Sequence, residues 1–380
     1  MNLQFEELKS LFDIPEDVTY LNCSYMSPML KDASEAGIKG LKLKTRPWSI
    51  QSQDFFSVTE DVRGLAANIV NCEPDDIALI PSASYGLATA ASNLSITDTE
   101  QILVLEDEFP SNFYIWQELS KATGASLMTV PRPTNRSWTE AIICMINENT
   151  KIAAIPHCHW TDGSLIDLEL ISRFLRKHDA ALVVDATQSL GAMPFNVSRV
   201  QPDFLISACY KWLLGPYSTG LLYVAPKYQQ GTPIEFNWIN RKNAHDFRHL
   251  TSYQNNYAEG ARRYDVGERA NFALLPALMV GLQSIIEWGI ESIYETISQL
   301  TNIAVQQAEM QGLTVTNKDA RSGHFCSIQL PSKTPENLAR QLSEKNIFIS
   351  IRGNSLRITP HVYNSEQDLE ILFKALERIK

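Results

Sequence analysis

The sequence predicts an α/β protein, with a mostly parallel sheet in a large domain and a smaller α+β domain after it. From about residue 76 to residue 224, short apolar runs alternate with longer amphipathic stretches, which is the pattern of strands joined by crossover helices. The runs are apolar at successive positions, as expected of strands that are covered on both faces. Near residue 275 the alternation gives way to long helical stretches and then to short strands.

The elements follow in order from this pattern. In the first region, strands are predicted over Ile77–Ile80, Ile102–Leu105, Ile152–Pro156, Ala181–Val184, Phe204–Ser207 and Gly220–Val224. The helices predicted between them are Ser82–Ser92, Asn112–Thr123 and Asp167–His178, the last with apolar residues at helical spacing. After the change of pattern, the predicted elements are helices over Ala277–Gln307, Pro335–Glu344 and Glu366–Arg378 and strands at Leu313–Val315, Phe325–Gln329 and Ile347–Ile351. We divide the chain into an N-terminal segment, residues 1–20, a large domain, residues 21–270, and a small domain, residues 271–380.

Composition excludes several classes of function. The chain has 33 Lys and Arg against 43 Asp and Glu, a net charge of −10, and such a surface repels phosphate backbones, so we expect no nucleic-acid partner. Six scattered cysteines without a C-x-x-C pair argue against disulfides or structural zinc and favour a reduced, cytoplasmic compartment. His157 and His159 have no third ligand nearby in the sequence, so we expect no metal site. We expect no membrane span, because no apolar run reaches the roughly 20 residues that one requires, and the N-terminus does not resemble a signal peptide.

Residues that carry chemistry follow the predicted strands, and ligands of open α/β sheets bind beyond the carboxyl ends of the strands. The segment 81–86, Pro-Ser-Ala-Ser-Tyr-Gly, places small hydroxyl residues at the start of a helix. Its free N–H groups and the positive end of the helix dipole favour a phosphate, although a plain serine N-cap would look the same.

An acid and a lysine follow two later strands. Asp185 comes directly after a buried run, where a carboxylate needs a positive partner or serves as an N-cap. Lys211 lies between Tyr210 and Trp212, and these apolar neighbours weaken its interpretation as an ordinary surface lysine. The 26 residues between acid and lysine fit a strand, a crossover and a strand, so both reach one sheet edge. A phosphate site, an acid and a lysine at one edge are what a phosphorylated pyridinium aldehyde cofactor needs.

These residues resemble those of the class V aminotransferase family of pyridoxal-phosphate enzymes, which includes cysteine desulfurases, selenocysteine lyases, kynureninases and isopenicillin N epimerase-like proteins. The resemblance runs from Tyr20 to Glu366 and is most specific between Val184 and Trp212. It implies fold type I, with a seven-stranded type of sheet, and bound pyridoxal 5'-phosphate. The implied roles are a Schiff base at Lys211, a pyridine-nitrogen contact at Asp185, a phenolic-oxygen contact at Gln188, phosphate contacts at Ala83, Ser84 and Tyr210, and ring stacking by Phe109.

The segment 352–364 resembles the part of the family that carries the substrate-carboxylate arginine, which implies this role for Arg357. A guanidinium forks a carboxylate with two parallel hydrogen bonds; the alternative is a surface strand arginine. Desulfurases of the family have a nucleophilic cysteine just before that arginine, whereas residues 350–355 contain none, and Cys326 lies in an apolar run. The sequence therefore argues against persulfide-type desulfurase chemistry.

The function predicted from these observations is a cytoplasmic pyridoxal-phosphate enzyme that acts on a small amino acid, as a homodimer because fold type I sites are completed by both subunits. An aminotransferase or lyase is favoured, and an epimerase or a kynureninase-like hydrolase is the alternative. A non-catalytic regulatory protein that keeps the fold would be expected to have lost Lys211 or Asp185. A nicotinamide enzyme would need G-x-G-x-x-G after the first strand, which residues 81–86 lack. Glu268 replaces a threonine that in the family reaches the partner subunit's phosphate, and Arg269 and Asn271 are candidates to replace it.

Overall fold

The computed structural model describes residues 5–135, 137–316 and 320–377. Its helices are α1 Phe5–Ser10, α2 Lys31–Leu43, α3 Ser57–Val70, α4 Ala83–Asn93, α5 Ser111–Thr123, α6 Trp138–Met145, α7 Leu168–Arg176, α8 Val197–Val200, α9 Leu274–Trp288, α10 Ile290–Met310, α11 Leu338–Ser343 and α12 Glu366–Glu377. Its strands are β1 Thr19–Tyr20, β2 Ile77–Ile80, β3 Gln101–Leu105, β4 Ser126–Val130, β5 Thr150–Pro156, β6 Ala181–Asp185, β7 Phe204–Ala208, β8 Gly220–Val224, β9 Thr314–Val315, β10 Cys326–Gln329, β11 Ile347–Phe348, β12 Ser350–Arg352 and β13 Ser355–Ile358.

The large sheet has seven strands in the order β2-β8-β7-β6-β5-β3-β4. Strand β8 runs antiparallel to both of its neighbours, and the other pairs are parallel. Alternate residues of a strand contribute to different cores: Ile102 and Val104 belong to one cluster, and Leu103 and Leu105 belong to the other. Both faces of the sheet are therefore covered, which confirms the predicted α/β fold with a mostly parallel sheet.

A smaller, antiparallel sheet in the order β12-β13-β10-β9 lies in the C-terminal part of the chain. Strands β1 and β11 form a separate parallel pair, with Thr19 opposite Ile347. Beyond β8, helix α9 packs against α2 and α3, and helix α10 packs against α12 and against strands β9 and β10 of the smaller sheet. The smaller α+β part predicted after the large sheet is confirmed, while the division at residue 270 stays a prediction.

Three sequence-based predictions of elements need correction. The predicted helical stretch Ala277–Gln307 is two helices that are separated at Gly289, whose φ of 78° lies in the region that glycine adopts readily. The predicted strand Ile347–Ile351 is split between β11 and β12, which belong to different sheets. Strand β4 and helix α6 were not predicted at all, and nothing was assigned to the chain before residue 76, where α2 and α3 lie.

Among the described residues, no single helix is both long and apolar enough to cross a bilayer. Helices α9 and α10 meet the length and composition criteria only when taken as one pair, and that pair is bent by 80°.

Candidate active site

A cavity of about 220 Å³ opens at the carboxyl ends of β5, β6 and β7 and at the start of α4. It is lined by all the residues that the sequence predicts to bind the cofactor: Ala83, Ser84, Phe109, Asp185, Gln188, Tyr210 and Lys211. Its wall also includes residues that were not assigned to cofactor binding, among them Ser82, Glu108, Cys158, Trp160, Thr187, Tyr217, Ser218 and Thr219. The parallel strands thus bring together side chains that are far apart in the sequence.

Lys211 lies just beyond β7 and is only 6% exposed. Its Nζ is 5.7 Å from the ring centroid of Phe109 and 5.6 Å from that of Tyr210, and no hydrogen bond or ion pair to it occurs within the part of the chain that the structure describes. Burial lowers the pKa of Lys211 to about 8, with Asp185 raising it and Arg357 lowering it further. A fraction of this amine is therefore neutral near pH 7, and the neutral amine is the nucleophilic form.

Asp185 ends β6, and its Oδ1 accepts a hydrogen bond from the backbone N–H of Thr187 at 2.9 Å. Burial raises the pKa of the Asp185 carboxyl, against the hydrogen bonds from Thr187 and the charge of Lys211, which lower it. A cation placed next to this carboxylate would be stabilised by it, because the carboxylate has no ion-pair partner within hydrogen-bond distance among the described residues.

Gln188 is held by contacts on both ends of its amide. Its Oε1 accepts from the indole N–H of Trp212 at 3.2 Å, and its Nε2 donates to the carbonyl of Ser24 at 3.1 Å. An amide nitrogen carries two hydrogens, so one N–H of Gln188, a residue of the cavity wall, has no partner among the described residues. The contacts at its oxygen and its nitrogen fix the orientation of the amide.

The start of α4 forms the predicted phosphate site. The side chain of Ser82 accepts from the N–H of Tyr85 at 3.2 Å, and its Oγ lies 2.9 Å from the Oγ of Ser84. Ser82 is thus the N-cap, while the first turn begins at Ala83 and presents its remaining N–H groups to the cavity. The serine N-cap is therefore present, and phosphate binding by the remaining N–H groups of this turn stays a prediction.

Two pairs of aromatic rings border the cavity. Phe109 meets Trp160 edge to face with centroids 5.5 Å apart, and Tyr210 lies 4.7 Å from Tyr217. The indole N–H of Trp160 donates to the carbonyl of Asp107 at 2.6 Å, which fixes the orientation of that ring. Phe109 thus forms part of the cavity wall, where it packs edge to face against Trp160.

Arg357 lies on β13 and is 1% exposed. Its Nε and Nη2 donate to the Oγ of Ser350 at 2.8 and 2.6 Å, and its Nη1 donates to the carbonyl of Trp160 at 2.9 Å. None of the described carboxylates pairs with it. Burial, with repulsion from Arg352, lowers the pKa of Arg357 to about 9. The alternative of a surface arginine is therefore wrong, and a buried guanidinium without a counter-ion next to the cavity is suited to bind an anion.

Sequence reasoning missed Glu108, a buried carboxyl in the cavity wall. Its Oε1 accepts from the N–H of Phe109 at 2.7 Å, while its Oε2 has no hydrogen-bond partner within the described ranges of the chain. Burial raises the pKa of Glu108 well above its ordinary value, and the nearby Asp185 raises it further. A neutral carboxyl here avoids repelling Asp185. No sequence signal marks Glu108, because a glutamate beside a proline-containing loop is usually on the surface.

Comparison with known proteins shows which family this arrangement represents. The family model described as aminotransferase class-V matches residues 41–370. The chain belongs to the class-V aminotransferase family. Similar relatives include an uncharacterized aminotransferase of Bacillus subtilis, 26% identical over 96% of this chain and 95% of the relative. A kynureninase of Geobacillus thermodenitrificans is 26% identical over 92% and 83%, and an isopenicillin N epimerase of Streptomyces clavuligerus is 22% identical over 99% and 98%.

Solved structures establish the fold. A cysteine desulfurase from Thermococcus onnurineus superposes with a TM-score of 0.84 at 19% identity, over 98% of this chain and 97% of that chain. A cystine C-S lyase in complex with cysteine persulfide superposes with a TM-score of 0.87 at 19% identity, over 99% and 100%. Another structure, with glycine covalently linked to a pyridoxal-phosphate cofactor, gives 0.89 at 18% identity, over 98% and 99%. The class-V chain has the fold type I architecture, and its cofactor is pyridoxal 5'-phosphate.

The cavity fits this cofactor. The unpaired amine of Lys211, the buried carboxylate of Asp185 and the free first-turn N–H groups of α4 are the donor set for an aldehyde, a pyridinium nitrogen and a phosphate. Each of these groups lacks a full set of partners within the described chain, and the cofactor would supply the missing ones. The individual contacts assigned from the sequence stay predictions.

The two candidates for a cross-subunit contact near Gly267 already have contacts within their own chain. Arg269 Nη1 pairs with Asp265 at 2.9 Å and donates to Asn240 at 2.6 Å. Asn271 accepts from the N–H groups of the two residues that lead into α9. Both candidates are thus engaged within their own chain.

The two histidines of the segment 157–159 have structural contacts. His159 stacks on Trp138 with ring centroids 5.2 Å apart, and Nδ1 of His157 lies 3.0 Å from the Oγ of Ser189. No group of three or more potential metal ligands occurs among the described residues.

Proposed function

We propose that this class-V protein is an aminotransferase or lyase that breaks a bond to the α-carbon or β-carbon of a small amino acid. The observation that carries the proposal is Lys211, an unpaired and buried amine in a cavity with the anion of Asp185 and the counter-ion-free Arg357 next to it. A protein that only kept the fold would not need to keep a lysine at this energetic cost.

Each residue has a part in the reaction. When bound, pyridoxal 5'-phosphate supplies an electron sink for charge that develops at the substrate α-carbon. Arg357 would bind the α-carboxylate and so orient the α-carbon of the substrate. Lys211 would accept the α-proton on its Nζ and return it. Asp185 would hold the pyridine nitrogen of the cofactor and favour its protonated form, because a buried carboxylate favours a neighbouring cation.

The cysteines support a reaction other than persulfide transfer. Residues 353–354, between β12 and β13, contain no cysteine. Cys158 lines the cavity, but it is buried, and burial raises its pKa to about 12. Cys326 is also buried, in β10. A desulfurase nucleophile must be a mobile thiolate, so the likeness to desulfurase structures supports the fold rather than that reaction.

A kynureninase-like hydrolase is the second candidate. Phe109 and Tyr210 are the two positions at which the sequence resembles kynureninases, a resemblance that implies an aromatic residue at the stacking position, and both border the cavity. The kynureninase of Geobacillus thermodenitrificans is 26% identical to the chain. An epimerase outcome is a third possibility that the same assay resolves.

Product analysis tests the proposal. The holoenzyme is incubated with a panel of L-amino acids, with and without 2-oxoglutarate or pyruvate as amino acceptor. Keto-acid-dependent formation of a new amino acid supports an aminotransferase, and release of ammonia and a keto acid without acceptor supports a lyase. Formation of anthranilate from kynurenine would indicate a kynureninase-like hydrolase, and formation of a D-amino acid without other products would indicate an epimerase. Either result would contradict both the aminotransferase and the lyase proposal. Absence of any product or spectral change with the whole panel would refute an enzyme of this kind.

We also propose that the protein acts as a homodimer whose partner covers the cavity mouth. Tyr217 lines the cavity and is nevertheless 63% exposed. Trp48, Phe236 and Tyr253 are 78%, 70% and 90% exposed, and large exposed aromatic side chains are typical of surfaces that bind a partner. Light scattering after size exclusion checks this: a mass of about twice the 42.8 kDa chain is expected, and a monomer at micromolar concentration would contradict it.

A further inference from the structure

A second arginine, Arg352, lies next to Arg357 on the same face of the small sheet. Ser350 is opposite Arg357 across β12 and β13, and Arg352 is opposite Ser355. Residues directly opposite in an antiparallel pair share a face, and so do alternate residues of one strand. These four residues therefore project from one side of the sheet, while Ile351 packs on the opposite side.

Trp160 connects both arginines to the cavity. Arg357 donates to its carbonyl, and the guanidinium carbon of Arg352 lies 6.0 Å from the centroid of its indole ring. The same indole meets Phe109 edge to face, with ring centroids 5.5 Å apart. Arg352 is therefore placed over the wall of the cavity, beside the arginine proposed to hold the α-carboxylate.

Arg352 has no anionic partner among the described residues. Its recorded hydrogen bond goes from Nη1 to the carbonyl of the adjacent Ile351, at 2.8 Å. The acids near Trp160 are already used, because Arg132 pairs with Asp107 at 3.3 Å and with Asp162 at 2.5 Å. Two guanidinium groups on one sheet face without a carboxylate repel each other, and Arg352 contributes to the low pKa of Arg357. An anion bound between or beside them would remove that cost.

We propose that Arg352 binds a carboxylate in the side chain of the substrate, so that the preferred substrates are dicarboxylic amino acids. The inference rests on the proposed function: Arg357 holds the α-carboxylate, and Arg352 selects the acid at the other end of the substrate. The α-carboxylate of a substrate occupies the two parallel N–H donors of one guanidinium, that of Arg357. The guanidinium of Arg352, at the cavity wall, is then available to bind a second carboxylate. Arg352 acts here on specificity and takes no part in moving protons.

The test compares isosteric pairs of substrates that differ only in side-chain charge, glutamate with glutamine and aspartate with asparagine. We expect the enzyme to prefer at least one acid over its amide by about tenfold or more in kcat/KM, equivalent to about 1.4 kcal/mol. Arg352→Gln should lower kcat/KM for that acid by about tenfold and should change kcat/KM for the amide by no more than about twofold. Arg340→Gln, which changes an exposed arginine of α11, is the matched control and should change neither.

A binding measurement adds a readout that does not depend on turnover. Glutarate, with two carboxylates, and butyrate, with one, both lack an amino group and are titrated into the holoenzyme by calorimetry. Arg352→Gln should weaken the binding of glutarate much more than the binding of butyrate. An amide preferred over its acid, or an equal loss for acid and amide in Arg352→Gln, would overturn the inference while leaving the proposed function intact. If no amino acid reacts, the proposed function fails, and the glutarate titration still decides whether Arg352 binds a second carboxylate.

Discussion

Replacement of Arg357 by alanine separates substrate binding from cofactor binding. The guanidinium is buried, and among the described residues it donates to Ser350 and to the carbonyl of Trp160 and has no hydrogen bond with Lys211 or Asp185. We expect Arg357→Ala to bind the cofactor normally and to lose activity with amino-acid substrates. Arg357→Lys should restore little of the activity with amino-acid substrates, because an ammonium is a point charge and lacks the two parallel N–H donors of a planar guanidinium.

The size of the effect follows from the surroundings of the guanidinium. A charge-assisted pair that forms in a dry site costs roughly 2–5 kcal/mol when one partner is removed. At 1.36 kcal/mol for each factor of ten, kcat/KM should fall by about 30-fold to several thousand-fold. The resting protein has a buried charge here without a counter-ion, so removing it should cost little thermal stability.

The assay measures kcat/KM for an accepted amino acid, the visible absorbance of the bound cofactor and the Tm of the resting enzyme. Arg340→Ala is the control, because its side chain is exposed on α11. Near-wild-type kcat/KM in Arg357→Ala would refute the assigned carboxylate contact. Loss of bound cofactor in that variant would show instead that Arg357 belongs to the cofactor site.

Three further variants test other parts of the site and the fold. Asp185→Asn should retain the cofactor but lower kcat by several orders of magnitude, because the buried anion that holds the ring proton is gone; near-normal turnover would show that Asp185 does not contact the ring. Cys326→Ala should leave kcat unchanged, and a persulfide detected by mass spectrometry on the wild type but absent from this variant would contradict our assignment. Asp265→Asn should lower the free energy of unfolding by roughly 3–5 kcal/mol in denaturant titration, because two buried arginines, Arg63 at 2.7 Å and Arg269 at 2.9 Å, lose the carboxylate that they share and Arg63 keeps only Glu60 as a charge partner among the described residues; a loss below about 1 kcal/mol would be inconsistent with this.

The sequence was informative where buried strands end in polar residues. Asp185 and Lys211 were predicted to meet because parallel strands deliver their carboxyl ends to one edge, and the structure places both in one cavity. The central strands are buried on both faces, so they are apolar at successive positions, and this pattern identifies them in the sequence. Local pattern and topology agree in this region of the chain.

Strands and helices that are partly exposed to solvent were not predicted from the sequence. Strand β4 is at the edge of the sheet and is largely open to solvent, so it lacks the apolar run of its neighbours. Helix α2 contains Gly37 and Gly40, which usually weaken a helix. In the structure, a Cβ at Gly40 would lie 1.6 Å from the carbonyl oxygen of Phe272, so this glycine permits close packing against the start of α9.

The roles of Glu108 and Arg352 could not be read from the sequence either. Both are charged residues in loops or short strands, where a solvated position is the usual outcome. Only tertiary structure shows that Glu108 lies in the cavity wall and that Arg352 lies over Trp160. Their contacts depend on the way in which the small sheet meets the large one.

The most direct test of the account is to locate the cofactor's covalent attachment. Holoenzyme is reduced with borohydride, digested and mapped by mass spectrometry, with Lys211→Ala and Lys227→Ala treated in parallel; Lys227 pairs with Asp203 at 2.6 Å outside the cavity and serves as the control. We expect the reduced pyridoxyl adduct on Lys211 in the wild type and in Lys227→Ala, and no adduct in Lys211→Ala. An adduct on a different lysine, or none in the wild type, would contradict the assignment of the active site.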